Sequence, residues 1–360
     1  MEQPGFLFIT CQVGAEGAVK QELARLWPDF RFAFSRPGFL TFKLPSDHNL
    51  SADFELKSVF ARAYGFSIGR VSGATPDELA GQVWQLYGSR PAQALHVWQR
   101  DAAPPGEYGF EPGISEAAKT ARRVLLQHTA REGLDASPHA AAQPGQVVLD
   151  CILVEPDQWW VGFHRARTIA SRWPGGMMEL APPADIVSRA WFKMEEALRW
   201  SDLPIPAGAR CAEIGSAPGG ASQALLARGL EVLGIDPAEM DQRVLAQPGF
   251  THLRRRSNQV RRRELRRVRW LTVDMNVAPE YTLEVVESIV SHAQVNVRGL
   301  ILTLKLFDWS LAEQLPEYLA RVRHWGYNQV HARQLQHNRQ EVCVAALQQP
   351  FRRKPPVPPR

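Results

Sequence analysis

Cysteine is scarce in this chain, with four in 360 residues. Cys11, Cys151, Cys211 and Cys343 stand far apart, with no CxxC pair and no histidine at ligand spacing. That excludes a disulfide frame and a zinc site, and it reads as buried thiols in a reducing compartment. No metal is expected. Long apolar runs are missing too: nothing approaches the roughly 18 apolar residues that suggest a membrane span. The N-terminal "MEQPGFLFITCQVGAEG" lacks the basic start and the apolar length of a signal peptide. The expectation is a cytoplasmic protein with no membrane association. GxGxxG is absent, as is GxxxxGK followed by Ser or Thr. Those absences argue against a dinucleotide and against a phosphate cradle. No internal repeat is visible.

The composition is 45% hydrophobic and 22% charged, that of a globular protein with a real core. The length suits two or three domains. A net charge of +5 and a pI near 9.2 lean mildly toward a polyanionic partner. The first half alternates short strands and helices. "FLFITC", "FRFAFS" and "FLTFKL" read as strands, "AEGAVKQELARLW" and "DFELKSVFARAYG" as helices, giving an α+β unit over 1–65. A second unit, 66–166, has a helix capped by Thr75 with Pro76 at its first position, a second helix from "ISEAAKTARRVLLQHTA", and a hairpin around Pro156-Asp157. "SRWPGGMMELAPPAD", rich in Pro and Gly, reads as a linker over 167–184. From 185 to 349 strands alternate with helices, the mark of a parallel sheet. The tail 350–360 is basic and Pro-rich, and is expected to be disordered.

Within that last region "EIGSAPGGAS" follows a strand and opens a helix. Gly215, Gly219 and Gly220 allow close backbone approach, and Asp236 ends the next strand at the distance where an acid takes a ribose hydroxyl pair. This is a nucleoside-binding arrangement without a phosphate site, and S-adenosylmethionine fits it. "DIVSRAWFKMEEAL" reads as a helix with Val187, Ala190, Trp191, Met194 and Leu198 on one face and Lys193 on its flank. By itself Lys193 is better read as a snorkelling lysine.

"IGSAPGGASQ" resembles the first motif of the FtsJ-type ribose 2′-O-methyltransferases, and "SRAWFKMEEAL" resembles the helix that precedes it. The resemblance covers roughly residues 185–348. It implies a Rossmann-like methyltransferase domain, a seven-stranded sheet with an antiparallel last strand, and S-adenosylmethionine as cofactor. It also implies a Lys-Asp-Lys-Glu tetrad, here Lys193, Asp274 of "LTVDMNVAP", Lys305 of "ILTLKLF" and Glu341 of "NRQEVCVAAL", in the family's order. Cofactor contacts are implied at Ser188, Gly215, Ala217, Pro218, Gly219, Gly220, Asp236 and Asp274. The N-terminal half is similar, by element order, to the ferredoxin-like and THUMP units that precede such a domain in a family of 23S rRNA cytidine 2′-O-methyltransferases. RNA is then the partner. One departure stands out. The family's acid after the third strand, which meets the adenine, is replaced by "LRRRSN", so adenine recognition falls to Asn258 or to backbone groups.

The tetrad gives Lys193 a reason to be there. Aligning the reacting atoms can supply roughly 7–11 kcal/mol, whereas a general base typically adds 10²–10⁴-fold. Positioning therefore dominates, with Lys305 both orienting the sugar hydroxyl and taking its proton. Amino-group methylation of adenine would favour an Asn/Asp-Pro-Pro-aromatic motif where "DMNVAP" stands, and a cytosine-C5 enzyme needs a nearby nucleophilic Cys. The alternative from another class is a non-catalytic RNA-binding or ribosome-assembly factor that keeps the fold. "LRRRSNQVRRRELRRVRW" carries nine arginines between the third and fourth strands of the parallel sheet, read as a phosphate-contacting face or a solvated one. Trp98, Trp159 and Trp160 are either base-stacking or core, and burial tendencies favour core.

Overall fold

The computed structural model describes residues 4–349 except 52, 130, 132, 135, 136 and 138–140; the proposed tail lies outside the described residues. The chain divides into two compact units. The first comprises residues 1–183 together with 306–313 and 333–342. The second comprises 184–305, 314–332 and the residues from 343 on.

The first unit is built on β1 (Phe6–Thr10), α1 (Glu16–Leu26), β2 (Arg31–Arg36), β3 (Phe39–Lys43), β4 (Ala63–Ser72), α2 (Pro76–Tyr87), β5 (Ala94–Gln99), α3 (Glu116–Gln127), β6 (Val147–Glu155) and β7 (Gln158–Arg165). Its strands form one continuous seven-stranded sheet, ordered β2-β3-β1-β4-β7-β6-β5. Thr75 caps α2 by accepting the Glu78 amide, and Ser115 caps α3 by accepting the Ala118 amide. The apolar sides of both helices, with Leu79, Val83, Ala121 and Leu125, pack on Leu95, Leu149 and Val161 of the sheet. Trp98, Trp159 and Trp160 are all buried, so Trp98 and Trp159 are core residues rather than base stackers.

Two expectations fail here. No helix forms over "DFELKSVFARAYG"; among the described residues that stretch is irregular until β4 begins at Ala63. The cause is Glu22 on α1. Its buried carboxylate accepts the Val59 amide at 2.9 Å, the Phe60 amide at 3.5 Å and the Ser58 hydroxyl. Donors committed to that carboxylate are lost to an i→i−4 ladder. The linker is also not wholly a linker. Pro174 to Met178 are buried, Met177 joins the cluster around Phe8 and Trp98, and a Cβ on Gly175 would stand 2.7 Å from Trp98 Cδ1. The same unit contains a bidentate ion pair, Arg62 with Asp101, both bonds 2.6 Å and both side chains almost fully buried. The Arg62 carbonyl accepts from Arg333 at 2.7 Å and the Val59 carbonyl from the Gln334 amide at 2.9 Å. Those bonds tie the 333–342 segment to the β4 entry.

The second unit contains α4 (Ala190–Ser201), β8 (Arg210–Ile214), α5 (Gly220–Ala227), β9 (Glu231–Ile235), α6 (Gln242–Leu245), β10 (Phe250–Leu253), β11 (Trp270–Val273), α7 (Pro279–Val290), β12 (Gly299–Lys305), α8 (Leu315–His324) and β13 (Gln329–Arg333); β14 (Glu341–Leu347) completes its sheet. The order is β10-β9-β8-β11-β12-β14-β13, or 3-2-1-4-5-7-6 counted within the sheet. β8, β9, β10, β11 and β12 pair in parallel. The Leu306 amide donates to the Gln340 carbonyl at 2.8 Å and the Gln348 amide to the Arg298 carbonyl at 2.9 Å. Each end of β12 thus meets the opposite end of β14, and the two strands run antiparallel. This is the mixed sheet of a Rossmann-like methyltransferase fold, with its strand order reversing between β8 and β11. Ligands of such sheets sit at that reversal, beyond the carboxyl ends of the strands.

Candidate active site

The carboxyl ends of β8, β9, β11 and β12 carry the residues singled out in the sequence. β8 ends at Ile214 and turns through Gly215, whose φ of +80° suits glycine. A Cβ there would collide with the Asp274 carbonyl oxygen. The Gly215 amide bonds the Ile235 carbonyl and the Asp274 amide bonds the Ile214 carbonyl, both at 3.0 Å, so the turn is pinned to the strands on either side. The Ala217–Pro218 peptide bond is cis, and the Pro218 carbonyl accepts the Asp241 amide at 3.0 Å. At Gly220, which opens α5, a Cβ would collide with the Ser188 hydroxyl. The close neighbours that demand glycine here are protein atoms, although the sequence alone suggested a ligand.

Asp236 follows β9. One carboxylate oxygen accepts the Ala217 amide at 3.2 Å and the other the Ala238 amide at 2.8 Å. The acid therefore joins the glycine turn to the loop after β9, and each oxygen keeps a second lone pair for a diol. The Ser188 hydroxyl oxygen is buried without a hydrogen-bond partner beside the N-terminus of α5. An orphaned buried hydroxyl beside a glycine turn, with an anchored acid one strand away, fits a nucleoside cofactor held without phosphates. Ser188 lies just before α4, whose helix begins at Ala190, later than its apolar pattern suggests.

Asp274 and Lys305 meet. Lys305 Nζ lies 3.0 Å from Asp274 Oδ1, both side chains mostly shielded from solvent. Lys193 lies half-buried on α4 in the same unit. Glu341 opens β14, at the start of the strand that the Leu306–Gln340 bond sets beside the residue after Lys305. It is 3% exposed and accepts from Asn338 Nδ2 at 3.0 Å, while Asn338 Oδ1 accepts the Leu335 amide at 2.8 Å. Asn338 was not legible as a supporting residue, because only the folded turn aims both ends of its amide.

Glu213 was also missed. The signal was available: one acid between Ala212 and Ile214 in the buried part of the strand, two residues before Gly215. It is 2% exposed and accepts the Ser222 hydroxyl of α5. Burial raises its pKa to about 8; the Ser222 bond opposes this, and the charges of Asp274 and Asp236 add to it. Near neutrality the group is therefore held largely as the acid. The ordinary glutamate value is 4.5. A group whose folded pKa is raised contributes stability that is complete below its unfolded pKa. That contribution falls by about 1.4 kcal/mol per pH unit as pH rises toward the folded value. Glu213→Gln, which mimics the protonated form, should flatten that component between about pH 4.5 and 8. Urea midpoints of the two proteins across that range check it; parallel curves would mean Glu213 is ionised in the fold.

The four cysteines are free and buried, and burial pushes the Cys211 thiol up to about 12. No nucleophilic thiol is poised at this edge.

The arginine run does not stay at one edge of the sheet. It leaves the carboxyl end of β10 at Leu253 and reaches the amino end of β11 at Trp270, so it crosses from one edge of the parallel sheet to the other. Arg254, the first residue after β10, stands at the edge that carries Asp274, its guanidinium donating to the Pro237 carbonyl at 3.4 Å and to Glu239 at 3.0 Å in the loop after β9, with Arg255 and Arg256 next in the chain. Arg269 sits at the opposite edge, its amide bonded to the Arg210 carbonyl at 3.0 Å.

Residues 186–344 match the family model for FtsJ-like methyltransferases. Over 370 aligned residues, 99% of this chain and 100% of the relative, the chain is 32% identical to the ribosomal RNA large subunit methyltransferase M of Halorhodospira halophila (strain DSM 244 / SL1). The chain belongs to the ribosomal RNA large subunit methyltransferase M family. The methyltransferase M of Laribacter hongkongensis (strain HLHK9) is 28% identical over 65% of this chain and 64% of its own length. That of Pseudoalteromonas translucida (strain TAC 125) is 31% identical over 47% and 49%. The FtsJ-type resemblance read from the glycine turn and its preceding helix thus holds, and membership of the methyltransferase M family extends over the N-terminal half. Among the described residues no helix is long and apolar enough to cross a membrane.

Proposed function

We propose that this methyltransferase M family member transfers a methyl group from S-adenosylmethionine to a ribose 2′-hydroxyl of large-subunit ribosomal RNA, at a cytidine, in the cytoplasm. The observation that carries the reading is the 3.0 Å pair of Lys305 with Asp274 beside the glycine turn. Bound there, the cofactor supplies an electrophilic methyl group on a sulfonium. Asp236 would hold its ribose diol. Ser188 and the backbone from Gly215 through Ala217, Pro218, Gly219 and Gly220 would hold its remaining polar groups, and Asp274 would lie alongside. Lys305 orients the RNA hydroxyl and, as the neutral amine, receives its proton at Nζ, while Asp274 fixes the amine. The family resemblance adds Lys193 and Glu341 to the catalytic set, and Asn338 donates to the Glu341 carboxylate. In this reading residues 1–65 supply the ferredoxin-like part and 66–166 the THUMP part that meets RNA, the two sharing β4 across their boundary, and 167–184 is the connection to the methyltransferase domain, 185–349.

The test supplies purified protein with labelled S-adenosylmethionine and unmodified ribosomal RNA. Label retained in dinucleotides that resist alkaline hydrolysis is the expected result, because a 2′-O-methyl group blocks cleavage at its own phosphodiester. Label in bases would replace the reading by base methylation, and no label by the non-catalytic assembly factor.

The arginine geometry gives a further expectation. Arg256→Glu, at the site edge, should lower the slope of log affinity for RNA against log salt by about 0.7–0.9. Arg267→Glu, near the far edge, should leave the slope unchanged. Equal slopes for both variants and wild type in a titration series would make the whole run a solvated face.

A further inference from the structure

The sheet of the first unit holds a groove that the proposed chemistry does not use. It has a volume of about 690 Å³ and is lined by Phe6, Phe34, Thr41, Arg70, Arg90 and Trp160 among others. Its rings differ in availability. Phe34 stacks on Trp160 with centroids 5.0 Å apart, and the Arg36 guanidinium covers Phe34 at 4.8 Å. Trp160 is 6% exposed, with Phe39 at 5.0 Å and the Arg70 guanidinium at 5.5 Å. These rings are wall. Phe6 is 42% exposed and has no ring partner among the described residues. A lone exposed phenylalanine needs no explanation; one set in a groove with cations at its rim does.

The rim is one-signed. Arg70 is exposed, and Arg90 is held by donating from Nη1 to the Leu86 carbonyl at 3.2 Å and the Tyr87 carbonyl at 2.9 Å, the last carbonyls of α2. No acidic side chain lines the groove among the described residues. An exposed aromatic side chain in a groove lined by two guanidinium groups suits a base stacked on the ring and phosphates at the rim. A paired base in a duplex offers no free face to stack.

We propose that this groove binds an unpaired segment of the RNA substrate, with a base on Phe6 and the flanking phosphates at Arg70 and Arg90. The choice of RNA as occupant rests on the proposed function. Binding of a short fluorescein-labelled oligocytidine to the full chain, followed by anisotropy across a salt series, tests it. Phe6→Ala should bind about tenfold more weakly at every salt concentration with an unchanged salt slope, since stacking carries no counterion release. Phe6→Trp should restore binding, and Arg70→Gln should lower the slope by about 0.7. Phe6 is 42% exposed, so its variants should stay folded, with melting temperatures only slightly below that of the wild type. Wild-type affinity in Phe6→Ala overturns the proposal, and so does equal weakening toward an RNA duplex. Methyl transfer is read on the same preparations. Transfer by wild type with no Phe6→Ala effect on binding removes the groove and leaves the activity; the reverse pair of results removes the activity and leaves the groove.

Discussion

Lys305→Ala should lower methyl transfer by at least about a thousandfold while S-adenosylmethionine binding stays within a factor of two. The lysine carries two roles in the proposed site. Its amine receives the hydroxyl proton, which general-base catalysis values at typically 10²–10⁴-fold. Its 3.0 Å pair with Asp274 also fixes where the sugar oxygen sits, and small misplacements of a reacting atom are costly. The β8 turn, Asp236 and Ser188 make most of the pocket proposed for the cofactor, and Asp274 beside them is held by its amide bond to the Ile214 carbonyl whether or not Lys305 is present. Lys305→Arg separates the roles: it keeps an N–H donor for Asp274 but is always protonated and cannot act as a base, so turnover should remain lost. Single-turnover kinetics with calorimetry of cofactor binding decide the matter. Near-normal turnover in Lys305→Ala would remove this lysine from the chemistry.

Asp101→Ala should destabilise the first unit by about 3–5 kcal/mol, the usual result of removing one partner of a buried ion pair. Arg62 loses both of its 2.6 Å bonds to that carboxylate in a place where it is almost fully buried. The consequence extends along the first unit, because the Arg62 carbonyl anchors Arg333 at the head of the 333–342 segment. Replacing both partners by apolar residues, Arg62→Met with Asp101→Leu, should recover most of the loss, since no unpaired charge then remains. Urea unfolding of the single and double variants checks this. A single variant within 1 kcal/mol of wild type would mean that water reaches the guanidinium.

The legible part of this molecule follows from burial. β8, β11 and β12 are covered on both faces, so their apolar runs and bounding turns identify them without further context. Asp274 and Lys305 were implied by the family resemblance, and the ends of such runs showed where in this sequence to look for them. The illegible part depends on partners distant in sequence. The false helix at 53–65 had a reasonable pattern, but a carboxylate more than thirty residues away, Glu22, takes its amides. On α4 the apolar stripe is real, yet Glu195 is buried beside it, paired with Arg199 at 2.7 Å and Arg228 at 3.2 Å. No periodicity anticipates an acid on the inner face. The glycines of the β8 turn were noticed for the right reason, close approach, but with the wrong neighbour, because the atoms they admit include Ser188 and the Asp274 carbonyl.

The most direct measurement is mass spectrometry of ribosomal RNA nucleosides from cells lacking this gene and from the same cells given back either the wild-type chain or its Lys305→Ala variant. The account predicts one 2′-O-methylcytidine in the large-subunit RNA that disappears with the gene, returns with the wild-type chain and does not return with the variant. A full complement of 2′-O-methylated nucleosides in the cells lacking the gene, or restoration by the variant, would contradict it.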